Sequence, residues 1–140
     1  MKQIPVIFWT GTGNTQMMAD AVAEAINAAG AEAVVKNVSE ISADEAAGYE
    51  ALALGCPAMG AEVLEECEFE PFFTELEGKL AGKKVALFGS YGWGGSYMQD
   101  WEARVKDAGA TLVADGVLAL GAPDDEAMAK LAEAGKLLAE

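Results

Sequence analysis

The strongest constraint in this sequence is an alternation: apolar runs of strand length are followed, along the whole chain, by segments whose apolar residues recur with helical period. The strand candidates are 4–9, 33–38, 51–56, 84–90 and 111–120. Several are too continuously apolar for a sheet with one wet face, so helices should cover both faces. Five parallel strands joined by right-handed helical crossovers, with a fifth helix at the end, make an open doubly wound α/β sheet. Pro5 donates no ladder bond and fits only as a first strand residue, so the first strand is expected to begin there.

The helical segments carry their own punctuation. Met18, Val22, Ile26 and Ala29 fall on one face of the first, Gln16, Asp20, Glu24 and Asn27 on another, and Gly30 suits a left-handed position past its end. Ser42 and Glu45 have capping-box spacing, and Pro71 fits the first turn of a third helix carrying Phe69, Phe72, Phe73, Leu76 and Leu80 as core. Met98, Trp101 and Val105 recur before Gly109, and Met128, Leu131 and Leu138 do so in a last helix opened by Asp124, Asp125 and Glu126.

At 140 residues the chain suits one domain, 1–140, and no linker-like segment divides it. No apolar run reaches the roughly 18 residues of a membrane span, and the first residues lack the succession of a signal peptide, so a cytoplasmic location is expected. Cys56 and Cys67 have neither disulfide-scaffold nor metal-site spacing, and the sequence contains no histidine, which disfavours metal centres and His-assisted nucleophiles. Cys56 reads as a buried structural thiol. A net charge of −14 repels nucleic acid and anionic lipid and favours basic protein partners.

In a doubly wound sheet, ligands bind beyond the carboxyl ends of the strands, so the segments that follow them carry the chemistry. The first, Thr10-Gly11-Thr12-Gly13-Asn14-Thr15, runs straight into a helix. Its glycines allow backbone N–H groups to turn inward, the helix start adds partial positive charge, and Thr10, Thr12, Asn14 and Thr15 supply side-chain donors. It holds no lysine or arginine, and Gln16 stands where a dinucleotide fingerprint needs glycine, so neither that motif nor a Walker A sequence is met. Neutral donors suit one permanently held phosphomonoester better than a triphosphate.

The second segment, Pro57-Ala58-Met59-Gly60-Ala61-Glu62, sets a polarizable thioether before a glycine whose peptide could flip at low steric cost. The third, Ser90-Tyr91-Gly92-Trp93-Gly94-Gly95, holds Trp93 between glycines in a stretch without period. That is a poor place for a core tryptophan and a good one for a stacking platform, with the N–H groups of Gly92 and Gly94 in reach of a heterocycle's oxygens.

The stretches 9–15, 55–65, 70–76 and 82–94 closely resemble the short-chain flavodoxins, and the fifth strand segment lacks the insertion of about twenty residues that marks the long-chain branch. The resemblance implies a three-layer fold with strand order 2-1-3-4-5 and low-potential electron transfer on non-covalently bound FMN, with no catalytic residues and no metal. It implies a phosphate site at Thr10, Gly11, Thr12, Gly13, Asn14 and Thr15, and flavin contacts from Ala58, Met59, Gly60, Ala61 and Glu62 and from Ser90, Tyr91, Gly92, Trp93 and Gly94. Met59 and Trp93 would flank the ring, Glu62 would accept from flavin N3–H, Ser90 would meet the ribityl chain, and the Gly60 carbonyl would turn toward N5 on one-electron reduction. Ala61 departs from the larger polar or acidic residue often found there, and the stretch after Trp93 is shorter than usual, so no contact is assigned to Tyr97. Gly121-Ala122-Pro123 offers no side chain to report flavin contact.

An acidic protein resists making its flavin anionic: one carboxylate about 10 Å away at an effective dielectric of roughly 40 contributes about 0.8 kcal/mol, which is roughly 35 mV for one electron. With the resemblance, the expected molecule is a monomeric carrier that docks transiently on basic redox proteins. Two other classes share the topology. An FMN-dependent reductase would need surplus segments to seat a second substrate, and a phosphoacceptor receiver would need acids at strand ends that carry Trp9 and Cys56.

Overall fold

The computed structural model describes residues 2–9, 13–57, 64, 67–91 and 96–140. Its strands are β1 (Gln3–Phe8), β2 (Glu32–Asn37), β3 (Ala51–Gly55), β4 (Lys84–Tyr91), β5 (Thr111–Leu112) and β6 (Val117–Leu120). All pair in parallel in the order β2-β1-β3-β4, with both β5 and β6 against the far side of β4. The expected order 2-1-3-4-5 thus holds, with the fifth position shared by two short strands.

That division corrects the single strand expected over 111–120. Three steps along β4, from Val85 to Phe88, are matched by five on the edge, from Leu112 to Val117, so two residues are looped out. Asp115 and Gly116 are turn formers, and the Gly116 N–H donates to a Glu102 carboxylate oxygen at 2.7 Å. Pro5 also lies inside β1 rather than at its start. Successive residues of β1 face alternate neighbours, and Trp9 N–H donates to Gly55 of β3, so the odd positions face β3. The β1–β3 pairing begins only at Val6, which leaves the nitrogen of Pro5 beside an unladdered stretch.

The helices are α1 (Asn14–Ala28), α2 (Ala43–Ala46), α3 (Phe69–Glu77), α4 (Ser96–Asp107) and α5 (Asp125–Ala139). No described helix is long and apolar enough to cross a membrane. Ser42 caps α2 by accepting from Glu45 N–H, while the Glu45 carboxylate accepts from Ser42 N–H, the reciprocal pair that the spacing predicts. Gly30 and Gly109 follow α1 and α4 with φ of 94° and 88°, a conformation in which only glycine is unstrained.

Although the strands read as continuously apolar, alternate residues serve separate cores. Ile7, Leu52, Leu54, Val85 and Leu87 pack with α3 and α4 on one face. Val6, Phe8, Ala53, Ala86, Phe88 and Val117 pack with α1 and α5 on the other. Phe69, Phe72, Phe73, Leu76 and Leu80 are core as expected, and so is Trp101. Ala29 and Met128 are exposed instead: Ala29 lies beyond the last turn of α1, and Met128 stands about 100° round α5 from its buried Ala127, Leu131, Ala134 and Leu138.

Arg104, the sequence's only arginine, joins α3 to α4. Its guanidinium donates to both Glu70 oxygens at 2.8 and 2.9 Å and to both Glu77 oxygens at 3.1 Å, and lies 4.7 Å above the Phe73 ring. Hydrogen bonds from Arg104 hold the Glu70 carboxyl below its ordinary range, and Glu70 in turn raises the guanidinium. A depressed carboxyl stabilises the fold fully at neutral pH and loses that contribution as pH falls through its folded value. Arg104→Met should cost about 1–2 kcal/mol at neutral pH, because a forked and partly screened pair is lost. Urea midpoints of variant and wild type should converge as pH falls toward 3; a constant gap would assign the loss to packing.

Candidate functional site

Gly13 caps α1 at φ 93° with no side chain to meet the first-turn N–H groups, and its carbonyl accepts from Met17 N–H. The first turn carries no acid, whereas α2 opens on Asp44 and Glu45 and α5 on Asp125 and Glu126. The start of α1 is therefore suited to an exogenous anion. Asn14 and Thr15 follow, with Thr15 only 1% exposed.

The strand ends nearby are stitched together. Trp9 N–H donates to the Gly55 carbonyl, and Cys56 N–H to that of Phe88 at 3.1 Å. Buried Ser90 donates its hydroxyl to the Gly121 carbonyl at 2.7 Å, and Gly121 N–H donates back to Tyr91 at 3.0 Å. Ser90 was expected at a ribityl chain; with its proton spent on Gly121, its lone pairs remain to meet a ligand. Tyr91 is half-buried.

Gly13, Asn14 and Thr15 at β1 and Ser90 and Tyr91 at β4 thus stand along one sheet edge, with the end of β3 between them. Thr10, Gly11, Thr12, Ala58, Met59, Gly60, Ala61, Glu62, Gly92, Trp93 and Gly94 lie outside the described residues. Two further residues were missed. Gly121 enters through its backbone, at φ 69°, and a glycine closing a strand was its one sequence signal. Tyr97 donates its hydroxyl to the Cys56 carbonyl at 2.8 Å, across 41 positions, which no local pattern announces.

Most of the lysines stand toward the opposite edge, Lys36 near the end of β2 and Lys130 near the start of α5 being exceptions. Lys2, Lys83 and Lys84 cluster where β1 and β4 begin, and Lys106 and Lys136 lie in or beside the last turns of α4 and α5, where they complement the helix ends.

A family model described as flavodoxin matches residues 6–135. The chain belongs to the flavodoxin family. It is 47% identical over 135 residues to a flavodoxin of Clostridium beijerinckii, covering 96% of this chain and 97% of that one. To a flavodoxin of Megasphaera elsdenii it is 46% identical over 116 residues, covering 82% and 85%. The solution structure of two-electron reduced Megasphaera elsdenii flavodoxin superposes with a TM-score of 0.90 at 42% identity, over 97% of this chain and 98% of that one. The chain is thus a short-chain flavodoxin, an electron-transfer protein of the FMN-binding family.

The described residues fit such a cofactor. The first turn of α1 carries no acid that would repel a phosphate, its N-cap Gly13 offers no side chain of its own, and the sequence from Thr10 to Thr15 holds no lysine or arginine.

Proposed function

We propose that this flavodoxin holds FMN along the carboxyl edge of its sheet and carries electrons between other proteins without an organic substrate of its own. The observation that carries the reading is the start of α1, where Gly13 turns at φ 93° into a helix whose first turn is free of acids. Bound there, FMN supplies one-electron redox chemistry. The chain's own residues bind and orient it: Thr10 to Thr15 at the phosphate, Met59 and Trp93 on the two faces of the ring, Glu62 as an acceptor at its rim, and Ser90 and Tyr91 beneath.

The proposed partners are basic redox proteins that dock on an edge bearing Asp124, Asp125 and Glu126, while Lys2, Lys83, Lys84, Lys106 and Lys136 toward the other edge orient the molecule during encounter. A cytoplasmic monomer with 1–140 as one unit is the form proposed. The test is reconstitution: apoprotein should take up FMN stoichiometrically and then accept two electrons in separate steps by absorbance. Failure to bind FMN overturns the reading, and steady NAD(P)H oxidation by the isolated protein would favour a reductase. Trp93→Ala should raise the FMN dissociation constant about 10- to 100-fold, since aromatic stacking contributes about 1–3 kcal/mol. Unchanged affinity by flavin fluorescence quenching would assign the stacking face elsewhere.

A further inference from the structure

We infer that Tyr97 is a positioning residue for the cofactor: its hydroxyl fixes the carboxyl end of β3 against that of β4, and so sets the spacing of the strand ends between which the flavin is held. The inference rests on the FMN reading above.

Tyr97 stands in the first turn of α4 and is 2% exposed. Its hydroxyl donates to the Cys56 carbonyl at 2.8 Å, while Cys56 N–H donates to the Phe88 carbonyl. Cys56 is thus bonded to β4 through its N–H and to α4 through its carbonyl, beside Gly89 of β4. Gly89 makes room for the arrangement, because a Cβ there would overlap both the Tyr97 hydroxyl and the Cys56 carbonyl. Burial pushes the phenol far above its ordinary range, so it keeps its proton and remains a donor at any pH the protein meets.

Position in the chain gives this bond its consequence. In the sequence Cys56 stands three residues before Met59, and Tyr97 four residues after Trp93. One hydroxyl therefore joins the residue just past β3, before the segment proposed to carry Met59 to the flavin, to the first turn of α4, after the segment proposed to carry Trp93. The Tyr97 ring also stacks on Trp101 at 6.5 Å and 25°, and Trp101 meets Phe69 edge-on at 5.5 Å, where the chain from Met59 re-enters a helix. Both ends of the segment carrying Met59 are thereby referred to α4.

The test is Tyr97→Phe, which removes the hydroxyl and keeps the ring. Its apoprotein should melt a few degrees below wild type, a smaller drop than in Leu138→Ala, and exchange the Cys56 amide proton faster. FMN should bind about tenfold more weakly, the equivalent of one net hydrogen bond of about 1.4 kcal/mol, and the separation between the two one-electron potentials should change. Leu138→Ala serves as a control, since it loosens the core on the other face of the sheet and far along α5. It should lower the melting temperature and leave affinity and potential separation unchanged. If wild type binds FMN and Tyr97→Phe matches it in affinity and potentials, the positioning role alone is overturned. Equal shifts in Leu138→Ala would also overturn it, as an effect of stability. Wild-type protein that takes up no FMN removes the earlier reading, and this inference with it.

Discussion

Trp101→Ala is expected to cost about 3–5 kcal/mol, the range for emptying a buried tryptophan site. That is a large share of the roughly 5–15 kcal/mol by which a domain of this size is stable. Trp101 is 1% exposed, meets Phe69 and Phe73 edge-on at 5.5 and 5.9 Å, and stacks on Tyr97. Those three partners come from two helices, so no single side chain can close over the void. Urea unfolding followed by circular dichroism should show a lower midpoint at constant slope. Trp101→Phe gives the sharper comparison. The indole Nε1 is buried without a hydrogen-bond partner among the described residues, and an unmet buried donor costs about 1–3 kcal/mol. Phenylalanine gives up part of the volume and removes that donor as well, so its net effect should stay below about 1 kcal/mol. A loss as large as alanine's would mean that the indole nitrogen has an acceptor.

The sequence's legibility followed the range of the forces involved. The capping box of Ser42 and Glu45, the left-handed Gly30 after α1 and the aromatic face of α3 depend on residues within a few positions, and all were readable. Met128 was misread because small residues blur a helix's period: α5 buries Ala127, Ala134 and Gly135 beside Leu131 and Leu138, and the conspicuous methionine is exposed. Pro5 was misread because its tolerance depends on where the β1–β3 ladder begins, which belongs to the pair of strands rather than to either one. The break between β5 and β6 depends on a carboxylate of α4, and the Tyr97 bond on two segments 41 positions apart. Of the candidate site, the glycine-led start of α1 was readable because Gly13 and the helix behind it are contiguous. The stitching at Ser90 and Gly121 was not, since two strand ends must first be neighbours.

Gly135→Val shows why a residue without a side chain can matter as much as Trp101, and it should cost about 3 kcal/mol, at the upper end for overpacking. Glycine inside a helix ordinarily invites replacement, because alanine gains about 1 kcal/mol in propensity. Here α5 crosses α1 at the glycine, and a Cβ would stand 2.8 Å from the Val22 carbonyl oxygen, 2.9 Å from the Ala25 Cβ and 3.4 Å from the Ile26 nitrogen. Two of these atoms are backbone and cannot rotate away, so the helices must separate. Even alanine should therefore lose stability, and valine adds a β-branch to the same overlap. Ala132→Val, on the exposed side of α5, supplies the comparison and should stay within about 0.5 kcal/mol of wild type. The functional consequence follows from what α1 carries. Displacing it at Val22 to Ile26 tilts the helix whose other end begins at Gly13, so FMN affinity should fall along with the unfolding midpoint. A lower midpoint with unchanged affinity would show that the start of α1 is held in place by the sheet rather than by α5.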